Sequence, residues 1–441
     1  MFEAMGMLNS VLNMTLVGGA TLLLMDITKK SPDNSEIKKH RELNKLKGKG
    51  LIISKNVRLS EKYSNEHVLV VMPSGTGKTR RIAMPNVKAL SKEKCTLIVT
   101  DPKCEIEEEC KINNKKVLVF NPYKSNTVGY DILANCKNTT EVRKYAKTIL
   151  INGNLANRIS TGADASAEAV EWIQKATPLL NSYIIYNFYT KKYKFNELVK
   201  RLVSLPLKVI GQEIMNSNVE EAKIEFQAFI QIAGSPVTLS CIRNVLLTNL
   251  QLFLDNTIDN IMSKESIDLD KLRDEETILY IQIPERHAAY FSPLTSVLMT
   301  QILDKLMDNP KGLQTYLILD EMANIGKIDN LAGILSTCRS RRISILACIQ
   351  SLNQLDLVYK EERSVLTDLF KTMIFSGGLK DSSEYASNLA GRGEFKVRNE
   401  YFTDKLLSSD AVRRLKSDEL LIICGNKNPV LDKMYDKEVL L

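Results

Sequence analysis

The chain has 441 residues, 44% hydrophobic and 25% charged, enough to bury a sizeable core and to form more than one domain. Its 60 Lys and Arg against 52 Asp and Glu leave a net charge of +8, which fits phosphate-bearing partners or an anionic membrane face and equally a solvated lysine-rich surface. Eight cysteines without a CxxC pair and three scattered histidines argue against structural zinc and a disulfide framework, and no G-x-S-x-G elbow supports a hydrolytic triad.

Met5 to Met25, "MGMLNSVLNMTLVGGATLLLM", carries no charge. As a helix it would span roughly 32 Å, about a bilayer core, so it is read as a membrane-anchor helix. Asn9, Ser10, Asn13, Thr15 and Thr21 dilute the apolar run, and the alternative is an amphipathic helix buried against protein. A cleaved signal peptide fits less well, because Glu3 stands where positive charge belongs. Lys29, Lys30, Lys38, Lys39, Arg41, Lys45, Lys47 and Lys49 follow. Such a cluster keeps its side of a span cytoplasmic and is attracted to anionic lipid; a charged linker is the plainer reading. Residues 1–50 are expected to be anchor and basic juxtamembrane linker, with the bulk of the chain cytoplasmic.

After residue 60, short apolar runs alternate with helical patterns. "HVLVVM", "TLIVT", "KVLVF", "TILYIQI", "YLILD", "ISILACIQ", "TMIFS" and "LLIIC" are continuous rather than alternating, as strands covered on both faces are. That predicts an α/β fold with a mostly parallel sheet. Between 120 and 277 the pattern is helical instead, in "TTEVRKYAKTILI", "SAEAVEWIQKATPLLNSYIIYNFY", "FNELVKRLV", "KIEFQAFIQIA" and "TLSCIRNVLLTNLQLFLDN". "SLPLKV" and "AGSPVT" read as turns between them. The expectation is an all-α domain, 136–262, inserted between two parts of the sheet domain, 51–135 and 263–441. Lys191, Lys192 and Lys194, interleaved with Tyr193 and Phe195, are either a cargo-docking surface or a solvated loop.

"HVLVVM", "PSGTGKT" and "RRIAMPNVKAL" read as strand, loop and helix, the setting a P-loop needs so that loop amides and a helix N-terminus face phosphate. Gly75 and Gly77 let the backbone approach anionic oxygens. Lys78 is placed for the β- and γ-phosphates of ATP and Thr79 for Mg²⁺, with Ser74, Thr76 and Arg80 completing the binding stretch. Met72 stands where the motif usually begins with glycine; at the strand–loop junction its side chain can turn into the sheet core.

Downstream, "YLILDEMANIG" puts Asp320 and Glu321 at the end of an apolar strand. Asp320 suits the Mg²⁺ shell, and Glu321 suits polarising an attacking water. "ILSTCRSRRISILACIQSLNQL" then sets Arg339, Arg341 and Arg342 before a strand ending in Gln350. A glutamine there can orient water, and an arginine at a subunit edge can reach a neighbour's nucleotide; a strand cap and solvated arginines are the structural alternatives.

"HVLVVMPSGTGKTR", "IVTDPKCE", "SPVTLSCIRNVLLTNLQLFLD", the stretch from "LILDEMANIG" to "SLNQL" and "FSGGLKDSSEYASNLAG" together resemble the coupling proteins of type IV secretion and conjugation systems (the TraG/TraD type). The resemblance runs from about residue 50 to the C-terminus. It implies a membrane-anchored, RecA-like ATPase of the bacterial inner membrane, a homo-hexameric ring with an inserted all-α domain. Such proteins receive single-stranded DNA with its relaxase, or protein cargo, and pass it to the secretion channel using ATP and Mg²⁺. By motif, Lys78, Thr79, Asp320 and Glu321 fall on the nucleotide residues, Arg339 on the arginine serving the adjacent subunit and Gln350 on the sensor glutamine. Met72 and the single N-terminal span, where the family has two, depart from the pattern. Two other readings remain: a nucleotide-regulated docking adaptor without motor activity, and a double-stranded DNA pump of the helicase or segregation type.

Overall fold

A computed structural model describes residues 36–162, 166–397 and 400–436. The Met5 to Met25 segment lies outside them; among the described residues no helix is long and apolar enough to cross a membrane.

The core is a nine-stranded sheet. In chain order its strands are β3 (Val68–Val71), β4 (Cys95–Thr100), β5 (Lys116–Phe120), β6 (Thr277–Ile281), β7 (Gln314–Leu319), β8 (Ile343–Ile349), β9 (Thr372–Ser376), β12 (Glu419–Cys424) and β13 (Val430–Lys433). Two hairpins stand apart from it, β1 (Lys47–Ser54) with β2 (Val57–Leu59) and β10 (Arg392–Val397) with β11 (Glu400–Lys405). The sheet order is β13-β12-β9-β3-β8-β7-β4-β6-β5. Every pairing from β9 to β5 is parallel, and β12 and β13 close the other side antiparallel. The eight apolar runs fall on the first eight of these strands; strands buried on both faces need no polar alternation.

Alternation still sorts the two faces. Leu69 and Val71 join one apolar layer with the helices, while Val68, Val70 and Met72 join the other, with Leu43, Leu46, Leu51, Ile82 and Val87. Between β5 and β6 the described chain adds no strand and forms helices Thr139–Thr161, Ala167–Thr190, Phe195–Ser204, Leu207–Met215, Glu220–Ala233, Pro236–Asn249 and Asn256–Met262. Asn138, Ser166 and Ser235 cap three of them by accepting backbone N–H groups. Their buried side chains are continuous with the sheet layer through the buried helix Ala288–Asp308. The expected turn "SLPLKV" separates the helices Phe195–Ser204 and Leu207–Met215, with Pro206 capping the start of the second; proline is tolerated at a helix start because its missing N–H is not needed there. In "YTKKYKF", Phe195 is fully buried and Tyr193 lies under the Arg201 guanidinium, so the stretch is not an exposed aromatic docking surface.

The expected juxtamembrane linker packs on the sheet domain where it is described, from residue 36 on. Lys38 pairs with Pro429 and Leu431 along β13, and Leu43 and Leu46 are buried. The strand β1 is clamped to the helix Met84–Leu90 by the fully buried Asn86 amide, which accepts from Ile52 N–H at 2.8 Å and donates to Ile52 C=O at 2.9 Å.

Candidate active site

The C-terminal ends of β3, β7 and β8 assemble the site. Val71 is in register with Ile349, and Met72 N–H donates to Ile349 C=O at 3.0 Å, so the loop leaves the sheet beside Gln350. Gly75 and Gly77 have φ of +79° and +95°, a region L-residues avoid and glycine enters freely. Thr76 Oγ1 donates to Pro73 C=O at 2.7 Å, and Arg81 N–H to Gly77 C=O at 2.7 Å, closing the loop onto the helical turn Thr79–Ala83. The side chain of Met72 is wholly buried in the layer beneath the loop, and the glycine it replaces would have left that space empty. Ser74 and Gly75 are exposed at the loop's crest.

Three pairings link loop and strand ends. Lys78 Nζ sits 2.7 Å from Glu321 Oε2, and Thr79 Oγ1 donates to Asp320 Oδ2 at 2.6 Å. Gln350 Nε2 donates to the same Glu321 Oε2 at 3.2 Å. Lys78, Asp320 and Glu321 are all buried. Burial pushes the Asp320 carboxyl up to about 6, against the Thr79 hydrogen bond and the Lys78 charge, which lower it.

The other two oxygens, Asp320 Oδ1 and Glu321 Oε1, are buried without a partner. An unpaired buried carboxylate oxygen is costly, and two on adjacent residues beside Lys78 and Thr79 point to a missing ligand. One hydroxyl and one or two carboxylates are what Mg²⁺ takes from protein when phosphates and water complete its octahedron. The residues fit that ion.

Arg80 and Arg339 are not brought to this cluster. Arg80 turns outward to Glu105 and Glu109. Arg339 precedes β8 whereas Lys78 follows β3; since these strands are parallel, the two residues sit at opposite edges of the sheet, about 23 Å apart along the seven residues of β8. Its side chain is 58% exposed and pairs with Glu66 at 3.1 Å.

The sequence reading missed Thr100, Asp101 and Gln282. Thr100 Oγ1 accepts Asp320 N–H at 2.9 Å. Asp101, buried at the end of β4, accepts the N–H groups of Ile106 and Glu107, and burial raises its carboxyl. Gln282, after β6, donates to Glu107 at 2.7 Å and accepts from Asn121. Each directly follows or ends an apolar strand, as Asp320 does, and that shared position was the available signal. A larger open concavity of about 910 Å³, with Tyr186, Tyr189, Lys192, Glu213 and Glu221 among its walls, is lined by the helical region alone and shares no residue with the phosphate loop.

The family model for conjugative DNA transfer by the type IV secretory system matches residues 24–433. The chain belongs to that family. VirD4 of Rhizobium radiobacter is 20% identical over 354 residues, covering 76% of this chain and 49% of that protein. VirD4 of Agrobacterium fabrum (strain C58) is 20% identical over 397 residues, covering 83% and 57%. The chain thus spans about half the length of the curated relatives it matches. Among solved folds, the unbound bacterial conjugative coupling protein TrwBdeltaN70 aligns with a TM-score of 0.77 at 18% identity, covering 95% of each chain. Plasmid coupling protein TrwB in complex with ADP and Mg²⁺ aligns at 0.77 and 17%, covering 93% and 94%. VirB4 of Thermoanaerobacter pseudethanolicus is more distant, at 0.58 and 12%, covering 89% and 99%. These likenesses establish the RecA-like α/β fold for this member of the conjugative DNA-transfer family.

Proposed function

We propose that the chain is an ATP-driven coupling protein that passes single-stranded DNA with its relaxase, or protein cargo, to a type IV secretion channel. The observation that carries this is the convergence of Lys78, Thr79, Asp320, Glu321 and Gln350, with two carboxylate oxygens left unpaired. Support comes from TrwB, a similarly folded coupling protein solved with ADP and Mg²⁺ and with a non-hydrolysable ATP analogue.

The loop amides and Lys78 bind the phosphates. To do so, Lys78 turns away from Glu321, which frees that carboxylate to take a proton from the attacking water while Gln350 holds it in place. Thr79 and Asp320 would hold Mg²⁺, which supplies charge neutralisation on the phosphate oxygens. Arg339 lies at the far edge of the sheet and is exposed, so it does not serve its own subunit's site. It acts on the next subunit's nucleotide in a homo-hexameric ring, a contribution of about 10³–10⁵ in rate for such residues. The Met5 to Met25 segment anchors the ring at the inner membrane, and the strand β1 that follows it in the chain is held to the helix after the phosphate loop by Asn86.

The test is displacement of streptavidin from end-biotinylated single-stranded DNA by the full-length protein with ATP. A motor releases streptavidin in an ATP- and Lys78-dependent, salt-sensitive reaction. DNA binding without release would favour a nucleotide-regulated docking adaptor, and release from duplex DNA alone would favour a double-stranded DNA pump.

A further inference from the structure

We propose that Glu66 is a positioning residue for Arg339, aiming its guanidinium across the subunit boundary. This rests on the reading of Arg339 as acting on the neighbouring subunit's nucleotide. Four residues of β3 separate the two ends of one mechanical element: Glu66 and His67 stand just before it, and the loop carrying Lys78 follows it.

The turn bearing Arg339 is bolted at its base and held at its tip. At the base, fully buried Arg273 donates from Nη2 to Arg341 C=O at 2.9 Å, and from Nη1 to Leu306 and Asn309 C=O at the end of the helix Ala288–Asp308. Thr315 N–H donates to Arg342 C=O at 3.0 Å, fixing the left-handed Arg342 (φ +57°) where β8 begins. On the other side, buried His67 accepts Ile345 N–H at its Nδ1, which leaves Nε2 to donate to Leu335 C=O at 3.1 Å on the helix that leads to Arg339. At the tip, Glu66 Oε1 meets Arg339 Nη1 at 3.1 Å, and Glu66 is itself fixed because Lys371 N–H donates to its carbonyl at 3.0 Å.

A long arginine side chain has many rotamers, and one carboxylate at its side restricts them while leaving the rest of the fork free. The Arg339 partner of this ion pair is mostly exposed, so the pair's effect on stability is small. Its effect belongs in turnover, where the direction of the fork matters.

The experiment uses the full-length protein in lipid nanodiscs with single-stranded DNA and follows ATP hydrolysis. Glu66→Gln lowers kcat about threefold to fivefold, the scale of one partly exposed ion pair, with KM for ATP and the melting temperature unchanged. Rings are then mixed 1:1 with Lys78→Ala subunits, which bind no nucleotide but present an unaltered Glu66–Arg339 pair. Turnover per intact phosphate loop rises about twofold to threefold on mixing, because half of those loops now face an unaltered pair. No rise on mixing would show that Glu66 acts only within its own subunit and overturns the proposal, as would a kcat above wild type, which would mean that Glu66 restrains Arg339. Arg339→Ala mixed with Lys78→Ala is the separate control: recovery there supports the trans arginine, and its absence refutes that reading whatever Glu66 does.

Discussion

Replacing Glu321 by Gln tests the contact at the centre of the nucleotide-free site. Lys78 Nζ and Glu321 Oε2 are 2.7 Å apart, and both side chains are below 10% exposed. At an effective dielectric of about 20 that separation is worth about 6 kcal/mol of attraction, and breaking such a buried pair from one side costs about 3–5 kcal/mol, because the remaining charge stays buried. Glutamine keeps a hydrogen-bond acceptor, so the lower figure applies: Glu321→Gln lowers the stability of the nucleotide-free protein by about 3 kcal/mol. Phosphate then binds a lysine that no longer has to leave a carboxylate, and the same energy returns as nucleotide affinity about a hundredfold tighter. Urea unfolding without nucleotide and titration calorimetry with ATP read the two halves, and hydrolysis falls in the same variant. An unchanged urea midpoint together with unchanged or weaker binding would refute the argument that Glu321 holds Lys78 before nucleotide arrives.

Three further outcomes follow from the same contacts. Met72→Ala should cost about 2–5 kcal/mol in urea unfolding, as truncation of a fully buried side chain does, while calorimetry shows ATP affinity unchanged because the side chain faces away from the loop. Asn86→Ala leaves Ile52 N–H and C=O buried without partners; about 2–4 kcal/mol should be lost, with faster hydrogen exchange at Ile52. Burial holds His67 down at about 4 against an ordinary 6.5, so the folded protein keeps it neutral while the unfolded chain takes up a proton below pH 6.5. Stability therefore falls as pH drops from 6.5 to 4, by about 3 kcal/mol from this residue, and urea midpoints across that range should flatten in His67→Gln.

The parallel strands were legible because burial on both faces writes a continuous apolar run, as in "HVLVVM" and "ISILACIQ". β1, β10 and β11 were not: "KGKGLIIS", "RGEFKV" and "EYFTDK" carry charge, since these strands form hairpins outside the main sheet. β13 was lost to its brevity at the sheet's antiparallel edge. Pro206 was readable as a helix break because proline cannot continue one helix and can open the next. The phosphate loop was readable from glycine spacing and its flanking elements, and the inward turn of Met72 from its place at the strand–loop junction; that it shares the face of Val68 and Val70 came from the structure. Asp101 and Gln282 escaped because an acidic or amide residue after a strand is common until the topology shows that those strand ends share one edge. The placement of Arg339 opposite Lys78 needed the parallel pairing of β3 with β8, a long-range fact that no local pattern carries.

ATP hydrolysis by the full-length protein, with and without single-stranded DNA and beside Lys78→Ala, bears most directly on the account. Turnover that rises with DNA and disappears in Lys78→Ala is the predicted result. Absence of turnover on DNA in protein that binds ATP, or turnover that persists without Lys78, would contradict it.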